Sequence, residues 1–178
     1  MRFNILNSDN AFLKKITIMD TKENIQRLAE FSSEIREVTL KRLQEIPEGF
    51  INWRLNNTAM SFAHIVQHLI HVDELFFSLA ESKENEFQWT LGSEEPHVAI
   101  EKLTYEAMLE KLKNLQQKRY TIISSLDTLK INAEITGDND EKTTLWWFLM
   151  RKVLEHEIYH RGQISAYLKV LKGEHLEF

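Results

Sequence analysis

Apolar residues return every three or four positions along four long stretches of this chain, the period of a helix with one buried face. The first stretch carries Ile25, Leu28, Phe31, Ile35, Val38 and Leu43, with Leu40 at the stripe's edge. It predicts a helix from Asp20 or Thr21 to about Glu45, ended by Pro47 and Gly49. The second runs from about Ala59 to Ser82, with Phe62, Ile65, Val66, Leu69, Leu75, Phe76 and Leu79 inward. It follows capping side chains in Asn56-Asn57-Thr58. In the third, Thr104 caps Tyr105 to Leu126, and Leu109, Leu112, Leu115, Ile122 and Ile123 form the stripe. The fourth starts at Thr143 or Thr144 and runs unbroken to about Leu171, where Gly173 stops it.

The pieces between are less regular. Residues 1–19 read as a mixed tail, and residues 20–178 as a single domain. Lys83 to Leu103, with Trp89, Gly92 and Pro96, reads as a surface loop beside the open end of the helices. It is about 20 residues long, where roughly two to eight is usual between bundled helices, so it crosses over between helices or lines a site. Lys130 to Thr136 alternates weakly in twos and predicts a short extended segment before the loop Gly137-Asp138-Asn139-Asp140. Four amphipathic helices in one chain predict an all-α four-helix bundle.

Composition narrows the function classes. The chain has 178 residues, enough for one domain with a real core. Only 5 Gly and 2 Pro interrupt it, which favours long helices over a sheet. The net charge is −5 and no Lys/Arg stripe stands out, so nucleic acid is disfavoured as a partner. No cysteine is present, which excludes disulfides, a protein thiolate and a Cys-type zinc site, and fits a reducing cytoplasm. No secretory signal and no membrane-length apolar run is expected.

The candidate chemistry lies in the fourth helix, in His156-Glu157-Ile158-Tyr159-His160. Histidines four residues apart sit about 40° apart around a helix, one turn above the other, and can reach one ion together. The metzincin extension is missing, because Gln163 and Ala166 stand where that pattern has glycine and histidine. With 18 residues left after His160, a third ligand belongs upstream, on another helix. The second helix offers His64, His68 and His71, all within roughly 60° of arc. Glu157 reads as a general base for an activated water, or as a supporting carboxylate paired with Arg161. Gln163, nearly in line with His156, could orient a ligand or touch substrate. Tyr159 could donate a proton and Arg161 could bind an anionic substrate. Trp53, Trp89, Trp146 and Trp147 read as core or rim.

Two segments carry a family resemblance. Ser61-Phe62-Ala63-His64-Ile65-Val66-Gln67-His68-Leu69-Ile70-His71-Val72-Asp73-Glu74 resembles the second-helix signature of the DinB-like (DinB/YfiT-like) metal-binding superfamily. His156-Glu157-Ile158-Tyr159-His160-Arg161-Gly162-Gln163 is similar to that superfamily's HExxHRGQ stretch. The resemblance spans the chain in helix order. It implies an up-down-down-up bundle and a divalent metal, zinc or nickel foremost, on His68, His156 and His160, often in a homodimer. It leaves His64 and His71 as extra histidines. It also implies a metal-dependent enzyme for a small-molecule substrate, either a transferase using a low-molecular-weight thiol as cosubstrate or a hydrolase. A non-catalytic metal-binding stress-response module is the alternative.

Overall fold

The amphipathic stripes fold as helices, and the described residues are predominantly helical with one small two-stranded sheet. A computed structural model describes residues 8–81, 99–137 and 140–173, with side chains from Lys22 onward. Its elements are α1 (Ser8–Leu43), α2 (Phe62–Glu81), α3 (Lys102–Ser125), the short α4 (Thr128–Ile131), β1 (Glu134–Thr136) and β2 (Lys142–Thr144). α5 (Leu145–Trp147), a π-helical segment (Phe148–Leu154) and α6 (Glu155–Leu171) then follow one another without a break. α1 packs on α3 and α6, and α2 packs on α3, the π-helical segment and α6. Of the surface loop expected over Lys83 to Leu103, residues 83–98, with Trp89, Gly92 and Pro96, lie outside the described residues, and its end overlaps the start of α3 at Lys102.

Several boundaries differ from the expected ones, each for a local reason. α1 begins at Ser8 rather than near residue 20, so most of the segment read as a tail is helical. No Gly or Pro interrupts the chain between Ser8 and Pro47, so nothing stops the helix from extending. Asn56 does cap backbone, but its Oδ1 accepts from Thr58 N and Ala59 N in a turn ahead of α2. The helix itself starts one turn later, where Ser61 Oγ accepts from His64 N. α3 starts at Lys102 after Glu101, not at a Thr104 cap. Thr144 caps the fourth helical stretch, its Oγ1 accepting from Trp147 N. The predicted extended segment is shorter than Lys130 to Thr136, because Asp127 caps the turn of α4 and only Glu134–Thr136 pairs. Its partner is antiparallel, with Ile135 opposite Thr143 and the Ile135 side chain in the core.

The largest difference lies in which face of α1 is buried. Phe31 and Val38 are 46% and 42% exposed, while Ser32, Arg36 and Thr39 are buried. The inward line runs Ile25, Leu28/Ala29, Ser32, Ile35/Arg36, Thr39, Leu43, so Phe31 and Val38 flank it. The apolar core forms two clusters. One gathers Ile25, Leu28, Phe76, Ile123, Leu145, Phe148 and Leu149, and the other Leu43, Phe62, Leu69, Leu112, Ile164 and Leu168. Among the described residues, each long helical stretch buries one Asp, Glu or Arg side chain near the passage from one cluster to the other: Arg36, Asp73, Arg119 and Glu157.

Candidate metal centre

α2 delivers His68 from its middle, and α6 delivers His156 and His160 from consecutive turns of its N-terminal half. Their ligand nitrogens all lie within 4.8 Å of one another, and this group contains three histidines and no carboxylate. His156 Nε2 stands 2.6 Å from His68 Nε2 and 3.0 Å from His160 Nε2. The His156 and His160 rings meet edge to face at 81° with centroids 4.6 Å apart, as an i, i+4 pair on one helix face allows. His68 and His156 are half-buried and His160 is buried.

The electrostatics keep these rings neutral. Burial, then the neighbouring His160, His156 and His71, pushes His68 down to about 3. Burial, then His160 and Lys152, pushes His156 down to about 4. Burial lowers His160 as well, against a hydrogen bond to Gln163 and the nearby negative charge of Glu157. Neutral imidazoles carry the lone pair that a metal needs. A tetrahedral ion with Zn–N of about 2.0–2.1 Å sets its ligand nitrogens roughly 3.3 Å apart. To reach that spacing His156 Nε2 opens by about 0.7 Å from His68 and about 0.3 Å from His160, a change within reach of side-chain rotation, so the donor set fits a divalent ion.

The other candidate residues fall into distinct places. Gln163 touches the site directly, with its Oε1 3.0 Å from His160 Nδ1. Tyr159 is 67% exposed and sets its ring 5.3 Å from that of His160. His64 does not join the cluster; its Nδ1 lies 2.6 Å from Ser61 Oγ. His71 is exposed on α2 and lies outside the cluster. Arg161 is half-buried, and it is not the partner that the helical spacing offered to Glu157.

Glu157 points instead into the protein's centre. Arg36 grips it with two bonds, Nε to Oε1 at 2.8 Å and Nη2 to Oε2 at 2.9 Å. Arg119 Nη1 donates to Glu157 Oε2 at 2.7 Å and to Asp73 Oδ1 at 3.1 Å, and Arg36 Nη2 also donates to Asp73 Oδ2 at 2.9 Å. Arg36 Nη1 and Arg119 Nη2 reach the backbone carbonyls of Leu112 and Ser32, while the buried Arg119 Nε has no hydrogen-bond partner among the described residues. Two cations and two anions thus close a neutral, buried quartet with one member from each long helical stretch. Burial alone would raise the Glu157 pKa, but Arg36 and Arg119 hold it far below the usual carboxylate range. A carboxylate so stabilised is a poor acceptor for a proton from water, which removes the physical basis for the general base expected at this position. Sequence reasoning missed Arg36, Asp73 and Arg119. The available signal was a charge on a core line, clearest in α3, where Tyr105, Leu112, Arg119 and Leu126 recur at seven-residue steps.

Comparison with known proteins agrees with the helical arrangement. The sequence profile described as the DinB family matches residues 19–173. A solved structure of a DinB-like protein, YjoA from Bacillus subtilis, superposes with a TM-score of 0.62 at 21% identity, covering 85% of this chain and 96% of that one. No curated protein matches this chain.

Proposed function

The chain belongs to the DinB family, and from that premise we propose a metal-dependent enzyme that holds one divalent ion, zinc or nickel, on His68, His156 and His160. The observation that carries this reading is the convergence of three neutral imidazole nitrogens from α2 and α6 with no carboxylate in the group. Three protein ligands are the pattern of a catalytic rather than a closed structural site. A divalent ion in such a site supplies Lewis acidity, which lowers the pKa of a coordinated water or thiol. His68, His156 and His160 bind, Gln163 orients His160, and Tyr159 borders the cluster from its exposed side. Glu157 is assigned to the buried quartet.

Transfer of a low-molecular-weight thiol onto an electrophile is favoured over hydrolysis through the family resemblance. The chain has no cysteine, so the thiol is a cosubstrate. An up-down-down-up four-helix bundle is the topology we assign. α1 and the final helical stretch feed the Phe76 cluster first and the Phe62 cluster second, whereas α2 and α3 feed them in the reverse order. That order supports two helices running one way and two the other.

Metal analysis of the purified protein should give one equivalent, and His68→Ala, His156→Ala and His160→Ala should each abolish it while His64→Ala does not. The absorption spectrum of the cobalt-substituted protein should respond to an added small thiol. A spectrum indifferent to every added ligand would leave the non-catalytic metal-binding module standing instead. Full metal retention in His68→Ala would move the α2 ligand to another histidine.

A further inference from the structure

The bond from Gln163 to His160 is the first link of a chain whose far end is fixed. Gln163 Nε2 lies 2.7 Å from Tyr167 Oη, and Tyr167 Oη lies 3.2 Å from the carbonyl oxygen of Met60. That carbonyl can only accept, so the Tyr167 hydroxyl spends its single proton there. The hydroxyl oxygen then accepts from Gln163, which commits the amide's NH₂ end to Tyr167 and its carbonyl end to His160. A carbonyl oxygen facing Nδ1 also only accepts. The ring proton of neutral His160 must therefore sit on Nδ1, leaving the Nε2 lone pair facing His156 Nε2 within the three-histidine group. Reversing the amide would take the Tyr167 proton from Met60, present an N–H to Nδ1 and move the ring proton to Nε2, where it blocks the ligand nitrogen.

The anchor is rigid as well as directional. The Tyr167 ring is buried and packs edge-on against Trp53 at 5.2 Å and Phe62 at 5.5 Å. Met60 lies just ahead of the Ser61 cap of α2, so the chain also ties α6 to the start of the helix that carries His68.

We propose that Gln163 and Tyr167 are positioning residues that set the tautomer of His160, with the Met60 carbonyl as the fixed reference. The proposal rests on the reading of His160 as a metal ligand for its purpose, but its physical content concerns the metal-free protein. It is tested by nitrogen-15 NMR of the histidine rings in that state, which reports the protonated nitrogen directly. His160 should be the Nδ1–H tautomer in the wild type. Gln163→Leu should give a mixture of tautomers and weaken zinc binding by about 10–100-fold, the usual effect of losing a partner behind a ligand histidine. Tyr167→Phe should do the same to a smaller degree. Gln163→Glu keeps an acceptor beside Nδ1 and should restore the wild-type tautomer, a rescue that a purely packing role would not produce. An Nε2–H tautomer in the wild type, or an unchanged tautomer in both Gln163→Leu and Tyr167→Phe, would overturn the proposal. If the wild type showed the Nδ1–H tautomer but bound no metal, the metal-centre reading would fail and the tautomer assignment would stand.

Discussion

A single residue shows how angle and depth differ as information. The i, i+4 spacing of His156 and His160 gives their shared face from the sequence alone, because four steps of about 100° nearly close a turn. The same arithmetic places Glu157 about 100° away, but it does not say whether that direction is solvent, substrate or core. The answer depends on Arg36 and Arg119, which come from 121 and 38 residues earlier in the chain. His68 stood beside His64 and His71 on one helical face, and only the family resemblance separated them before the structure brought it to His156 and His160 on α6. The two readings of Glu157 predict different losses. As a quartet member, Glu157→Gln leaves an arginine pair short of its counter-charge. It should destabilise the fold by about 3–5 kcal/mol, the range for breaking a buried ion pair, while the protein still binds one metal. As a general base, it would lose turnover with stability intact. The pH dependence has a definite sign. The folded-state pKa of Glu157 lies below its unfolded value, so its stabilisation is fully present above about pH 4.5 and is lost as pH falls through the depressed value. Urea midpoints for wild type and Glu157→Gln should accordingly converge as pH is lowered below that point, and a gap that widened toward acid would contradict the assignment.

At the scale of the element, the fourth helical stretch was legible as one continuous helix, and it is continuous, but its first half is wound differently. Phe148–Leu154 is π-helical, with bonds one residue longer than those of an α-helix. The wide segment places Phe148, Leu149, Val153 and Leu154 all in the core before α6 begins at Glu155, immediately ahead of His156. A 3.6-residue template cannot register that change, because four or five apolar residues in seven satisfy either winding. A π-helical segment holds more residues per turn than an α-helix does, so it has length to give up. Removing one exposed residue of this segment, Arg151, should let the stretch relax toward α-helix without turning α6 against α2. Far-UV circular dichroism should keep its helical signal and the protein should still bind one equivalent of metal. If helicity survives and metal binding does not, the wide turn itself aims the histidine pair. The α1 face was misread for a related reason: apolar identity favoured Phe31 and Val38, whereas the buried line is partly polar, with Ser32, Arg36 and Thr39.

At the scale of the whole molecule, the quartet sits where the two apolar clusters meet, and its members come one from each long helical stretch. Each helix amphipathicity says only that one face is buried; it does not choose which helices are neighbours or how far one slides along another. Four charges that satisfy each other at 2.7–3.1 Å do choose, since a shift of one turn would strand a buried ion. Stability and selectivity then separate experimentally. Arg36→Ala leaves Asp73 and Glu157 underpaired and should cost about 3–5 kcal/mol in urea unfolding. Replacing the four together by apolar residues of similar volume, with Met at 36 and 119 and Leu at 73 and 157, removes the desolvation cost along with the attraction. That variant should be more stable than Arg36→Ala, because the effects of residues in one network do not add. Its zinc affinity should nonetheless fall below that of the wild type, since the charge-specific contacts that set the register of α2 against α6 would be gone and only the Tyr167–Met60 tie and apolar packing would remain to bring His68 to His156 and His160. A quadruple variant that is stable and binds zinc as tightly as the wild type would show that apolar packing alone sets that register.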